Sequence, residues 1–549
     1  MRRLKADILV VGAGAGGVPA AIAAAEAGFT VVLTEPTDWI GGQFTAQAVP
    51  PDEHRWIEEG LANRSYLELR SRVRRWYREH RNLTPEEREN PKLNPGNGWV
   101  SHLCAEPRVF HAVLEEWLAP HVAPGKVTLL LEHEPVDGEV SHEKVRSITL
   151  CHTRSGEQVQ VEADYVLDAT ELGDLYPLLG VEHSIGAEHK DEYGEMHGRT
   201  DRAEPLDQQA FSWCFAIEHR PGENHTITRP GAYERWKGYV PRLASGEPPW
   251  TGPLFSWTVP SHNESGRRTF PLIPWPDASA PDEWEMWRYR RIVDRSIYAG
   301  RDLPPDVSLV NWVQMDYWQR PLLGVSAAEQ QMAYREAREQ SLCWLYWMQT
   351  DAPRHDGSAG SGYPGLRLRG DELGTADGFA KAAYIREPRR LLARTMVTEA
   401  HIGVEQGRAE GRAGSGLRVG GLDLGICEQF PDSIATGHYS LDLHPSCAGR
   451  NSVYVPAAPF RVPLGSLIPR RVENLLAAGK GIGVSHIANG CYRMHHVEWG
   501  IGEAAGALAA WCLAQGKTPA QVHESPALTR EFQAALAARG VQVRWPWEP

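Results

Sequence analysis

Three glycines near the start of the chain carry the clearest chemistry. Gly12, Gly14 and Gly17 stand in G-x-G-x-x-G spacing. Gly12 permits a tight turn, Gly14 lets backbone approach a pyrophosphate, and Gly17 lets a helix pack closely on a strand. Glu35 lies about 20 residues beyond the turn, where an acid accepts a hydrogen bond from a ribose hydroxyl. An acid at that place argues against a 2′-phosphate. The motif alone does not separate FAD from NAD. A second group lies near the other end of the chain. His438 and His444 stand in GHYSLDLHP, and His486, His495 and His496 in SHIANGCYRMHH. Imidazole titrates near neutrality and suits proton transfer. Arg493 sits among them and can bind a carboxylate or stabilise negative charge.

These residues need elements to hold them. Ile8 to Val11 is a short apolar, β-branched run, as expected of a buried parallel strand. Val18 to Ala27 is alanine-rich and reads as a helix that Gly28 ends. Phe29 to Leu33 reads as a second strand closing on Glu35. The result is a βαβ unit whose helix N-terminus faces the phosphates. Gly41, Gly42, Gln43, Thr45 and Gln47 form a small, polar, backbone-exposing stretch, read as a second approach to the cofactor. Residues 56 to 92 are dense in charge and read as one or two solvated surface helices. The strand in VQVEADYVLDAT ends in small residues, which suggests the carboxyl edge of the same sheet, where ligands bind in open α/β folds. From about 183 to 430 the βαβ alternation disappears, and Val325 to Gln349 is the main helix there. The stretches 357–365 and 411–425 read as glycine-rich loops. The segment NLLAA then reads as a strand. A helix follows from about Val497 to Gln515, with Gly502, Ala505, Gly506 and Ala509 allowing close packing.

With 549 residues, the chain can bury a large core in two or more domains. Hydrophobic content of 42% and charged content of 23% are ordinary for a globular protein. A net charge of −13 argues against nucleic acid or an anionic membrane as main partner. Eight scattered cysteines without a C-x-x-C argue against a zinc site, a disulfide framework or a redox-active pair, and fit a cytoplasmic location. The start MRRLK reads as structure and not as a targeting segment, and no apolar run reaches the about 18 residues of a membrane helix. Among the twenty tryptophans, Trp250, Trp257, Trp275, Trp284, Trp287, Trp312 and Trp318 crowd the middle of the chain. They fill a core or wall an aromatic pocket.

Several blocks together resemble the FAD-dependent oxidoreductase family within the two-domain, glutathione-reductase-like flavoproteins. They are ILVVGAGAGGVPAAIAAAEAG, WIGGQFTAQAV, ADYVLDATELGDLYPLLG, YIREPRRLLARTMVTE, DSIATGHYSLDLHP and the long stretch from VPLGSLIPRR to GIGEAAGALAA. They span nearly the whole chain in order. The resemblance implies FAD as cofactor. It implies that Gly12, Gly14, Gly17 and Glu35 hold the ADP half, and that Gly41, Gly42, Gln43 and Thr45 line the pyrophosphate and flavin side. Val136 is implied as a backbone contact to adenine. Thr170 and Asp174 match a segment that usually reads ATGDGD, with Glu171 in place of a glycine. Gly479 is implied to close over the ribityl chain. The helix that contains Gly502 is implied to aim its N-terminus at the flavin pyrimidine ring. The histidine blocks are implied to lie near the isoalloxazine, which makes His444, His486, His495, His496 and Arg493 the catalytic candidates, with His438 beside them. Arg386, Arg389 and Arg390 read as structural bridges between domains.

The expected fold is α/β. A Rossmann-like FAD-binding domain comes from residues 1–182, with a helical insertion at about 53–99, and from residues 431–549. A mixed α+β substrate or cap domain occupies 183–430. The expected function is hydride transfer between a small organic substrate, carbohydrate-like or aromatic, and flavin N5. No second G-x-G-x-x-G marks a separate NAD(P)H domain. The alternatives are a monooxygenase that activates oxygen at flavin C4a and a non-catalytic flavin-binding protein. The halogenase signature W-x-W-x-I-P is not present; LIPWPDA is the nearest string. A small-molecule partner, no metal and a possible homo-oligomer complete the expectation.

Overall fold

In the computed structural model, residues 1–243, 250–260, 267–273, 285–412, 414, 417–419, 422–425 and 427–548 are described. The main sheet has seven strands. Six come early: β1 (Arg2–Val11), β2 (Val31–Glu35), β3 (Val127–Leu131), β4 (His133–Ser141), β5 (Lys144–His152) and β6 (Gln158–Asp168). The seventh, β7 (Leu475–Ala477), comes from the far end of the chain. The parallel part runs β3-β2-β1-β6-β7, with Ile8 opposite both Val31 and Tyr165, and Leu475 opposite Val166. β6 is shared along its length. Its first half pairs antiparallel with β5, and its second half pairs parallel with β7.

Ile8, Leu9, Val10 and Val11 are all fully buried, because both faces of the sheet are covered. That explains a continuous apolar run in place of alternation. Helix α1 (Gly17–Glu26) follows β1 and buries nearly every residue. An all-round alanine surface suits a helix pressed between neighbours, because small side chains let backbones approach.

α1 meets backbone on several sides. A Cβ on Gly12 or Gly17 would overlap Ala169 O or Gly12 O, and one on Gly16 would overlap Ala478 O. Helix α1 also touches the C-terminal helix directly: a Cβ on Gly502 would overlap Gly16 O, and one on Gly506 would overlap Ala20 O.

Helix α2 (Arg64–His80) differs from the solvated helix that its charge suggests. Arg70 and Arg74 lie on its buried face and pair with Glu53 and Glu58, Arg74 Nη2 reaching Glu58 at 2.6 Å. Carboxylates from the preceding segment compensate the guanidinium groups, which is what makes their burial tolerable.

The middle of the chain has its own apolar core. An antiparallel sheet orders the strands Arg291–Val293, Val307–Val310, Phe215–His219 and Leu366–Leu368. Helix α3 (Ala327–Thr350) packs in the same core and starts with a capping box of Ser326 and Glu329. Trp257, Trp312, Trp344 and Trp347 cluster, the last two stacked with centroids 4.8 Å apart. Trp287 and Trp318 are buried as well, and Trp250 is half-buried. The middle tryptophans thus mostly fill a core, while Trp275 and Trp284 lie outside the described residues. The loop expected at 411–425 lies partly outside them too. Among the described residues, no helix is long and apolar enough to cross a membrane.

The contact between α1 and the C-terminal helix makes a stability prediction. Gly506→Ala gains about 1 kcal/mol of helix propensity but forces a methyl onto the Ala20 carbonyl, an overpacking cost of about 1–3 kcal/mol or more, because backbone cannot step aside. The expected result is a lower denaturation midpoint. A midpoint equal to or above wild type shows that the helices separate without cost.

Candidate active site

The carboxyl ends of β1, β2, β6 and β7 converge on the glycine turn. Gly12 adopts φ +98°, which L side chains rarely adopt, and lies directly against Ala169. Gly14 and Gly42 have a different neighbour. For a Cβ at either position the nearest side-chain atom is Glu171 Oε1, at 2.9 and 2.8 Å. Two glycine turns therefore face each other across a narrow cleft, and the Glu171 carboxylate lies in it. Lys480 Nζ pairs with the other oxygen of Glu171. Glu171 Oε1 itself is buried and has no hydrogen-bond partner. The carboxylate is an anion at the N-terminus of α1, held by an ammonium, and stands in for a phosphate oxygen. The glycines and Lys480 fit a dinucleotide pyrophosphate, provided that the Glu171 side chain yields.

Glu35 Oε2 accepts from Ala13 N–H at 3.2 Å, and Oε1 accepts from the Thr37 N–H and hydroxyl at 3.1 and 2.8 Å. Burial pushes its pKa up to about 8. Gly41 adopts φ +113°, and the Thr45 hydroxyl donates to Ile40 O at 2.7 Å. Thr170 donates to Asp168 Oδ1 at 2.7 Å and accepts from Asp174 N–H at 2.7 Å, so its hydroxyl holds the turn after β6. Burial pushes Asp168 up to about 7. Asp174 pairs with Arg389 at 3.1 Å. Val136 sits at a bulge in β4, between Pro135 and Asp137, and is half-exposed. Gly479 lies beside Glu498 Oε1. Helix α4 (His486–Tyr492) and helix α5 (His495–Gln515) follow, the second starting two residues before the expected Val497. Gly502 lies within α5 at its contact with α1.

Glu498, in the first turn of α5, connects this end to the next. It accepts from Lys480 N–H at 3.3 Å and from the Gln43 amide, and Gln43 Nε2 also donates to Arg493 O at 3.1 Å. Arg493 turns its guanidinium the other way, into the wall of a cavity of about 420 Å³. There its Nη1 donates to the Tyr384 hydroxyl at 3.1 Å and its Nη2 to Asp442 O at 3.0 Å.

His444 lines the same cavity. Its Nδ1 is 2.5 Å from Asp316 Oδ2 and its Nε2 is 3.6 Å from Asp442 Oδ2. Asp316 is also held by Arg386 Nη2 at 3.0 Å and by the Ser212 hydroxyl at 2.7 Å. Burial opposes ionisation of Asp316, but Arg386 and His444 outweigh it and keep the carboxyl below the usual range. Asp442 behaves alike: burial raises its pKa, and His444 and Arg493 bring it down further than burial lifts it.

The other histidines lie elsewhere. His486 is locked between Glu387 (Nδ1, 2.8 Å) and Arg450 (Nε2, 2.5 Å). His495 accepts from Asp52 N–H at 3.2 Å, and its Nε2 faces Val49 O at 3.2 Å. Burial first, then Arg290 and His496, hold it well below 6.5. Both ring nitrogens of His496 are buried without a hydrogen bond, and its ring lies edge-on to His54 with centroids 4.8 Å apart. Burial brings its pKa down to about 4. His438 packs on Trp56 and is brought down to about 3, by burial and then by His496.

Several residues at the site had no place in the sequence reading. Asp442 stands two positions before His444, so a strand alternation could have found it. Lys480 follows Gly479 directly. Asp52, Arg290, Tyr384 and Asp316 carry no local signal, since they come from four separate segments. Arg386, expected as a bridge between domains, lines the cavity and holds the aspartate behind His444, and its hydrogen-bond partners Asp316, Ala210 and Ser212 all come from the middle region.

A parallel sheet with a glycine turn at its carboxyl edge, joined by buried charge to a cavity of about 420 Å³, defines a nucleotide-cofactor enzyme. The chain belongs to the FAD dependent oxidoreductase family, whose profile matches residues 7–536. FAD is its cofactor and oxidoreduction its chemistry. No curated protein sequence matches it significantly. Among solved structures it is similar to E. coli quinol fumarate reductase FrdA (12% identity, 98% of this chain and 74% of that one, TM-score 0.31). It is also similar to a geranylgeranyl bacteriochlorophyll reductase-like protein from Thermoplasma acidophilum (10%, 98% and 84%, TM-score 0.30). A third is L-proline dehydrogenase from P. horikoshii (15%, 35% and 25%, TM-score 0.18), of whose length the chain spans a quarter. Likeness this slight says nothing of substrate.

We propose that Lys480 binds the cofactor pyrophosphate. Lys480→Met removes a charged hydrogen bond and is expected to weaken FAD binding by about tenfold or more, read as the dissociation constant from quenching of free FAD fluorescence. An unchanged constant shows that Lys480 serves Glu171 alone.

His496 makes a pH prediction. Its folded pKa of about 4 lies below the ordinary 6.5, so below pH 6.5 the unfolded chain binds a proton that the folded chain does not. Stability contributed by the neutral ring is therefore lost as pH falls from 6.5 toward 4. His496→Leu is expected to lose less stability over that range than wild type, by up to about 3 kcal/mol. Parallel melting curves for the two proteins refute the burial argument.

Proposed function

We propose that this FAD-dependent oxidoreductase oxidises a small organic substrate held in the 420 Å³ cavity, removing a hydride while His444 takes the accompanying proton. FAD, when bound, supplies the ring that accepts the hydride. The chain supplies position and proton chemistry. A proton on Nδ1 donates to Asp316, which leaves Nε2 as the basic nitrogen on the cavity side. Asp316 holds the ring and stabilises it once protonated, and Asp442 lies close enough to Nε2 to do the same. For an alcohol, the hydroxyl proton passes to Nε2 as the carbon gives up its hydride, and a carbonyl results. Tyr384 and Arg493 border the place where charge develops on that oxygen.

The His444–Asp316 pair at the cavity wall carries this reading, because no other histidine candidate lines the cavity. The resemblance of the two histidine blocks to the FAD dependent oxidoreductase family supports placing the flavin next to it. The separate apolar core of the middle region supports reading 183–430 as an inserted cap.

The test is anaerobic mixing of the FAD-loaded protein with a panel of alcohols, hydroxy acids and amines, followed by flavin absorbance. One class is expected to bleach the flavin without NAD(P)H. His444→Gln should slow that bleaching by about 10²–10⁴-fold with FAD still bound. Full speed in the variant removes His444 as base. Bleaching that needs an added nicotinamide points to an oxygen-activating enzyme.

A further inference from the structure

The geometry points to Arg290 as the anchor for a substrate carboxylate, and to an aromatic carboxylic acid as the substrate class. This rests on the cavity being the substrate site. Three guanidinium groups border the cavity, and they differ in how they are used. Arg386 spends its terminal nitrogens on Asp316, Ala210 O and the Ser212 hydroxyl. Arg493 spends its own on Tyr384 and Asp442. Arg290 is different: it is buried, at 7% exposure, yet neither Nε nor Nη1 has a hydrogen-bond partner. The carboxylate paired with it, Asp52 Oδ1, is 3.6 Å from Nη2, too far for a hydrogen bond, and is itself without a partner. Packing over the Tyr289 ring, 4.9 Å from its centroid, leaves the Nε and Nη1 donors unspent.

Buried donors left unmade are costly, and charged ones most of all. A group kept in that state at a cavity wall is matched by a ligand that supplies the missing acceptors. A carboxylate does so best, since its two oxygens meet a pair of guanidinium N–H groups in one plane. The rest of the cavity says what the acid is attached to. Trp312, Phe270, Met286 and Tyr289 line it, side chains that suit an aromatic ring. Arg290 would then fix one end of the substrate and leave the reacting carbon to His444, so Arg290 binds and orients but moves no proton.

The test uses phenylacetate and its neutral isostere phenylacetamide, titrated calorimetrically into the FAD-loaded protein. Phenylacetate is expected to bind about tenfold or more tightly than the amide. Arg290→Gln should abolish that preference by weakening phenylacetate alone. Arg290→Lys, which keeps the charge but not the fork, should restore part of it, and it carries the test if the glutamine variant does not load FAD. Equal binding of the two probes to wild type overturns the inference, as does no heat from either at millimolar concentration. A preference that survives both substitutions overturns the assignment to Arg290. Binding is read without turnover. Phenylacetate binding through Arg290 in a protein whose flavin no donor bleaches would sink the proposed reaction alone. Bleaching by a donor that lacks a carboxylate, with no phenylacetate binding, would sink the substrate class alone.

Discussion

Backbone-to-backbone contact around α1 is the constraint on which the rest of the structure depends. The glycines that lead into it touch the residues just after β6 and β7, Gly12 against Ala169 and Gly16 against Ala478, and its first residue Gly17 touches Gly12. Gly502 and Gly506 then let α5 close on α1 from outside. A helix packed this way cannot rotate or slide without overlap. Its positive N-terminus is therefore held toward the cleft between Gly14 and Gly42, where an anion is stabilised. The same contacts carry residues 478–502 to a turn made by residues 12–17.

From that fixed point a line of buried polar groups runs to the cavity. Glu171 meets Lys480, whose backbone meets Glu498. Gln43 joins Glu498 to Arg493, and Arg493 meets Asp442 beside His444. Asp316 and Arg386 close the line behind the histidine. In a low-dielectric interior each of these charges needs its neighbour, because an unpaired one is far more costly than the pair. The position of His444 is thus tied, group by group, to the cleft between the two glycine turns.

The family and the cavity answer different questions. Membership in the FAD dependent oxidoreductase family establishes cofactor and class of reaction. Substrate choice belongs to side chains that the fold only frames. Asp52 arrives just after the glycine stretch that ends at Gln47, Arg290 and Trp312 come from the middle core, and His444 and Arg493 come from the C-terminal part. Their meeting point has a spare guanidinium at one side and an aspartate-held imidazole at another.

What could be read from the sequence was whatever local geometry enforces. A βαβ unit with glycines at fixed spacing has one physical use, so β1, α1, β2 and the cleft were legible from residues 8 to 35. Small residues along α5 announced close packing, although not that its partner was α1. The histidine blocks were legible as chemistry, but their members looked alike. Only tertiary structure separated them. It gave His486 a carboxylate and a guanidinium, packed His438 and His496 against aromatic rings, and left His444 at the cavity wall. Arg290 and Asp52 were beyond the reach of sequence for the same reason. A buried charge is defined by which distant groups surround it and which fail to reach it, and that depends on how the whole chain packs.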